Sequence, residues 1–194
     1  MKTLELWLES LARDATPDFA FCREQLKNQL PLLSLFEQTE QDSQWHAEGN
    51  VAIHTDMVLT ALYHLLATRA SHITGQKRQI LILSALLHDI AKPITTRRKE
   101  INGVERVIAT GHEQQGLSYL ALKLPGLPLA HKVIRDVMAL VGYHQMPKLL
   151  VVKNKDFGDY LQLALSADLE LLYWLEVADL KGRICQDLNC QLEL

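Results

Sequence analysis

Ile80-Leu81-Ile82-Leu83-Ser84-Ala85-Leu86-Leu87-His88-Asp89-Ile90-Ala91-Lys92-Pro93 is the most apolar stretch of the chain, and it closes on a histidine and an aspartate. The pattern predicts a helix over about Arg78 to Ala91. A helix that is apolar almost all round has no face to turn to water, so it belongs at the centre of a bundle. Pro93 is expected to end it, because the residue before a proline avoids helical geometry. A carboxylate at Asp89 is costly in such surroundings unless a cation or several donors neutralise it.

Working outward, the next strong signal lies upstream. Asn50 is a good N-cap, and Val51, His54, Met57, Val58, Ala61, Leu62 and Leu65 follow at helical spacing. His54 therefore shares the inward stripe. Downstream, Asn102-Gly103 separates Arg98-Lys99-Glu100-Ile101 from Val104-Glu105-Arg106-Val107-Ile108. Asn-Gly is the preferred pair for a two-residue hairpin turn, so a short hairpin is expected at about 98–108. Helical patterns resume over about His112 to Lys123, Pro128 to Val141, Asp156 to Ser166 and Leu169 to Ile184. Before Asn50, short helices are expected over about Thr3 to Arg13, from near Pro17 and after Pro31. The fold class is all-α with one small hairpin. Residues 1–44 read as an N-terminal helical appendage and 45–194 as the main domain.

Composition narrows the function classes. The chain has 194 residues, enough for one compact domain, with 48% apolar and 22% charged residues. Its longest apolar run is too short to span a bilayer, and its first residues lack a signal-peptide pattern. A cytoplasmic protein without a membrane partner is expected. A net charge of −3 gives no global attraction to nucleic acid. Arg97-Arg98-Lys99 with Arg106 is the one basic patch in the sequence. Cys22, Cys185 and Cys190 are odd in number and form no CxxC, which argues against a disulfide framework or a thiolate metal site.

Polar residues on apolar faces carry the chemistry, since burying them unpaired costs free energy. His144 continues the stripe of Ile134, Val137 and Val141, and Asp179 continues that of Leu172 and Leu175. Four predicted helices thus each deliver a histidine or aspartate inward. Singly, an inward histidine is ordinarily a satisfied core residue, and a buried aspartate ordinarily caps a helix or pairs with arginine. One metal ion explains the whole set at once. Imidazole and carboxylate are ligands for Mn, Fe, Ni, Co and Zn, and Mg is admissible. His88 and Asp89 are sequence neighbours, which do not face each other on a helix. They can share an ion only where the helix ends.

These residues resemble the HD-domain phosphohydrolases. Leu86-Leu87-His88-Asp89-Ile90-Ala91-Lys92-Pro93, Gly111-His112-Glu113-Gln114-Gln115-Gly116 and Ala178-Asp179-Leu180-Lys181-Gly182-Arg183 look like successive family motifs, with His54 preceding them. The order most resembles the HD domain attached to bacterial tRNA nucleotidyltransferases. No nucleotidyltransferase head fits in the short N-terminal segment, so CCA-adding activity is not implied. The resemblance implies that His54, His88, Asp89 and Asp179 hold one metal. It implies that His112 and His144 hold a second or contact substrate, with Asp89 bridging in a two-metal arrangement.

The implied activity is a phosphatase or phosphodiesterase acting on a nucleotide, a 2′,3′-cyclic nucleotide or an RNA end. A divalent ion acidifies its bound water towards neutral pH and offsets charge on the phosphoryl oxygens. Asp89 is then the central catalytic ligand. Lys92 is the best candidate for stabilising developing charge, with Arg183, Arg97 and Arg106 as further phosphate contacts. Arg183 can equally form a plain salt bridge with Asp179, one turn away. His46 and Glu48 could reach the mouth of the site, although a loop anchored by Trp45 is the plainer reading. Two other classes compete: a metal-containing regulatory module that binds RNA or protein without turnover, and a di-iron oxygenase. Family habit adds a separate kinase or nucleotidyltransferase chain as a partner.

Overall fold

The computed structural model describes residues 2–185. It is all-helical apart from one hairpin, as the sequence predicts. Helix α1 is Lys2–Ser10 and α2 is Phe19–Leu26. A 3-10 helix, Pro31–Gln38, follows, then α3, Val51–Thr68, and α4, Gly75–Leu87. The four-residue α5, Lys92–Thr95, leads into β1, Arg97–Ile101, and β2, Val104–Ile108. Helix α6 is His112–Lys123, α7 is His131–Tyr143 and α8 is Met146–Val152. Helices α9, Phe157–Ser166, and α10, Leu169–Lys181, complete the described chain. Cys190 lies outside the described residues.

Local chemistry sets the boundaries. Asn50 accepts the Ile53 amide at 3.0 Å and starts α3. Helix α2, expected from near Pro17, starts at Phe19, where Asp18 caps it by accepting the Phe21 amide at 2.7 Å. Asn102 and Gly103 both have positive φ, 52° and 78°, as a type I′ turn demands. The turn pairs Ile101 with Val104 and Arg97 with Ile108.

Two departures from expectation bear on the site and its surroundings. Helix α4 stops at Leu87 instead of running to Ala91, so Pro93 does not terminate it. Pro93 is instead the second residue of α5, where its missing N–H costs nothing. Helix α8 was not foreseen: seven residues, Met146–Val152, are too few to show a clear period, and Pro147 again sits in the first turn.

Helix α4 is enclosed from Arg78 through Leu87 and packs against α3, α7 and α10. Helix α3 is long and apolar enough to cross a bilayer, but its Val51, Val58, Leu59, Leu62 and Leu65 lie inside the protein core. The N-terminal segment joins the same core through Leu8, Leu11, Phe19, Cys22, Leu26, Leu33 and Phe36. Polar ties reinforce it. Gln79 donates to the Leu8 carbonyl at 2.6 Å, Arg78 donates to the Leu11 and Ala15 carbonyls, and Tyr63 donates to the Pro17 carbonyl at 2.7 Å.

Candidate metal centre

The end of α4 shows how two neighbouring residues can serve one site. Beyond Leu87 the chain winds more tightly: the Ile90 amide donates to the Leu87 carbonyl and the Lys92 amide to that of Asp89. In this three-residue winding, His88 and Asp89 both turn inward, each about 1% exposed. His54 comes from α3, His112 opens α6, His144 follows α7 and Asp179 lies on α10. All are buried. The structure therefore brings together the six residues that the sequence nominated.

Each of the four imidazoles has one nitrogen already committed. Nδ1 of His88 lies 2.8 Å from the Ala85 carbonyl, that of His112 2.8 Å from Ala109, and that of His144 2.8 Å from Val141. Nδ1 of His54 lies 3.1 Å from the Gly182 carbonyl. A carbonyl only accepts, so each Nδ1 carries the proton and each neutral ring presents its Nε2 lone pair to the others.

Those lone pairs face other lone pairs. The Nε2 atoms of His54 and His88 are 3.3 Å apart, as are those of His112 and His144. His54 Nε2 lies 3.0 Å from Asp179 Oδ1, His88 Nε2 3.2 Å from Asp89 Oδ2 and His112 Nε2 3.2 Å from Asp89 Oδ1. Asp179 Oδ1 is buried without a hydrogen-bond donor, and Asp89 Oδ2 meets the Lys92 ammonium at 2.7 Å. Such an arrangement repels itself unless a cation or extra protons enter. Donors about 2.1 Å from a shared ion lie about 3.0 to 3.4 Å from one another, which is the spacing seen here. Two groups of three donors made of these six residues each fit within 4.8 Å: His54, His88 and Asp179, and Asp89, His112 and His144. The donor set fits one or two divalent transition-metal ions.

Electrostatics points the same way. Burial pushes the Asp89 carboxyl up, but His88, Lys92 and His112 outweigh it and hold it well below the usual carboxylate range. Burial likewise opposes ionisation of Asp179, which Arg183 and His54 overcome. Burial lowers His54 and His112, yet Asp179 and Glu48 raise the first and Asp89 the second above the ordinary histidine value. His144 is pushed down to about 3 by burial and by His112 and His88. The carboxylates thus call for positive charge, which protons or a metal can supply in competition.

Cations surround the donors. Lys92 Nζ is 2.7 Å from Asp89 Oδ2 and also bonds Gln41 Oε1. Arg183 makes the expected buried salt bridge to Asp179 Oδ2. Both also line a cavity of about 460 Å³, with Gln41, Trp45, His46 and His112. Arg97 and Arg106 are not on its wall. Arg106 is clamped by the Asp42 carboxylate, its Nε 2.6 Å from Oδ2, and Arg97 lies on an exposed strand. Gly116 faces Val141 and Ile90 rather than the cavity, so its role is close packing.

Gln41 and Glu176 escaped the sequence reading, and Glu48 was weighed there only as a residue that could reach the mouth of the site. Gln41 holds Lys92 from 51 residues away, a pairing with no local signature. Glu48 is fully enclosed, 3.0 Å from His54 Nδ1 and 2.8 Å from His46 Nδ1. With His46 and His54 it could geometrically hold an ion, but the Gly182 carbonyl keeps His54 Nδ1 protonated, so Glu48 orients the ring instead. Glu176 is buried with both oxygens lacking a hydrogen-bond donor, and burial and Asp179 raise its pKa. Its position three residues before Asp179 and seven before Arg183 was the available signal.

The family model described as HD domain matches residues 51–179, well over half of the chain. The chain belongs to the HD-domain family. No curated protein matches it.

Proposed function

We propose that this HD-domain protein is a metal-dependent phosphohydrolase acting on a nucleotide, a 2′,3′-cyclic nucleotide or an RNA end. One observation carries the reading: four imidazoles, their Nδ1 protons committed, aim their Nε2 atoms at each other and at two buried carboxylates. A bound divalent ion supplies an acidified water and a Lewis acid for phosphoryl oxygen.

His54, His88 and Asp179 would hold one ion, and His112 and His144 a second. Asp89 stands between them, with Oδ1 towards His112 and Oδ2 towards His88, which favours two ions over one. Lys92 neutralises Asp89 and presents its ammonium at the cavity wall, where it can meet a phosphoryl oxygen. Arg183 does the same beside Asp179. Both are fixed by ion pairs before substrate arrives, so little reorganisation accompanies the growth of charge. The 460 Å³ cavity accommodates a small phosphorylated ligand. The preference for nucleotides and RNA ends rests on the resemblance of the motif order to that of tRNA-linked HD domains.

The test is phosphate release from nucleoside monophosphates and 3′-phosphorylated oligoribonucleotides, and ring opening of 2′,3′-cyclic nucleotides to monophosphates, with Mn, Fe, Co, Ni, Zn or Mg. Turnover that EDTA abolishes and one of these ions restores supports the proposal. Metal binding without any turnover would instead favour a regulatory module, and iron- and dioxygen-dependent product formation an oxygenase.

A further inference from the structure

Helix α9 turns its apolar face to water. Of its 10 residues, Leu163 alone is buried. Phe157, Tyr160, Leu161 and Leu165 are 80%, 41%, 48% and 78% exposed. Residues three and four apart are neighbours on one side of a helix, so these four form one apolar stripe with Leu163 behind it. Asp159 also stands behind it, paired with Lys155 at 3.6 Å. No charged side chain belongs to the stripe.

An isolated helix shorter than about 12 residues is marginal in water, and one buried leucine is a small anchor. Helix α8, against which α9 packs, itself buries only Leu150. The stripe therefore calls for a cover. A large side chain offers about 150 to 250 Å² when fully exposed, so these four offer about 450 Å². An interface burying about 800 Å² per partner, at about 60% apolar content, needs about 500 Å² of such surface. Val151 and Val152, exposed a short loop before Phe157, make up the difference.

The order of residues along the stripe selects the partner. Phe157 and Leu165 stand four residues to either side of Leu161. A second copy turned antiparallel about a two-fold axis at Leu161 sets Leu161 on the partner's Leu161 and Phe157 on the partner's Leu165. Each large side chain then meets another, which is the self-complementarity a two-fold interface requires. The flanks do not oppose it. Lys153, Lys155 and Asp156 stand at the start of α9, and Lys132, Arg135, Asp136 and Asp168 line a cleft with Leu165 at its end. Both ends carry both signs, so the pairing brings no block of like charge together.

We propose that the protein is a symmetric homodimer in solution, paired through antiparallel α9 helices about Leu161. The pairing braces α8, whose Lys148 reaches the wall of the 460 Å³ cavity. It is independent of the hydrolase reading, since mass is measured without metal or substrate.

The test is the mass of the full chain by sedimentation equilibrium. Wild type should weigh twice the 22.0 kDa of one chain. Leu161→Glu sets two like charges across the axis and should give the single-chain mass with an unchanged far-UV CD spectrum. Leu165→Glu supplies the same readout where Leu161→Glu does not fold. In a Cys185→Ser, Cys190→Ser background, with Cys22 buried, Leu161→Cys should couple to its own copy through a short bismaleimide, and Gln162→Cys, behind the stripe, should not. A single-chain mass in wild type overturns the proposal, whether the stripe then stays bare or is covered by another part of the chain or a different protein. A double mass that persists in both glutamate variants, or coupling through Gln162→Cys in place of Leu161→Cys, overturns it equally.

Discussion

His112 and His144 turn their Nε2 atoms towards each other across 3.3 Å, while each Nδ1 is bound 2.8 Å from the carbonyl three residues earlier in its own chain. Neither ring can donate to the other, so the pair is stable only around a cation or after protonation. The same local device fixes His88. It needs no distant partner, because the residue that closes a tight turn finds that carbonyl beside it.

This pairing separates two metal positions. His144→Ala should remove one ion and leave the His54, His88 and Asp179 group occupied. Elemental analysis of manganese-loaded protein should then give about half the wild-type content. Equal occupancy in wild type and His144→Ala would place His144 outside the metal centre.

Lys92→Ala should retain metal but lower kcat by about 100-fold, the usual cost of losing a preorganised charge at a developing anion. Stopped-time assays with matched metal content measure this. An unchanged kcat would limit Lys92 to its contacts with Asp89 and Gln41.

Gly182 packs against the backbone of α3. A Cβ there would lie 2.5 Å from Val58 Cγ2 and 2.6 Å from the Val58 amide nitrogen. Backbone cannot yield as a flexible side chain can, so Gly182→Ala should destabilise the protein by about 1 to 3 kcal/mol. It should also weaken metal binding, because the Gly182 carbonyl orients His54. Thermal melts with and without manganese read both effects. Wild-type stability in the variant would contradict the described approach of α10 to α3.

Burial, reinforced by Asp18 and Asp56, pushes the Cys22 thiol up from 9.0 to about 12. In the unfolded chain the thiol ionises at its ordinary value and in the folded chain it does not. This contribution to stability is therefore intact below pH 9 and is lost as pH rises from there towards 12. Denaturant titrations across that range should show a falling alkaline limb that is shallower in Cys22→Ala. Identical alkaline limbs would show that Cys22 is not enclosed. The native thiol should likewise resist alkylation at pH 8.

Much of this was legible in the sequence because it is periodic or local. Helix α6 has the predicted bounds, the Asn102-Gly103 turn stands where its residue pair demands, and His54, His144 and Asp179 could be placed inward from their stripes. What escaped depends on tertiary contact. The stop at Leu87 lets Asp89 face the same way as His88, yet no glycine or proline between Ala85 and Ala91 signals a helix end. Arg106 reads as a phosphate contact until Asp42 is seen across the fold. Gln41 acts on Lys92 from a loop position that carries no period at all, and Glu48, placed by the sequence only near the mouth of the site, turns out to hold His54.

The most direct measurement is the metal content of the purified protein by elemental analysis, beside Asp89→Ala, whose carboxylate stands between the two groups of donors. The account predicts one to two first-row ions per wild-type chain and almost none in the variant, with EDTA-sensitive phosphohydrolysis lost in parallel. No metal in wild type after incubation with manganese, nickel and iron, or undiminished metal in Asp89→Ala, would contradict it.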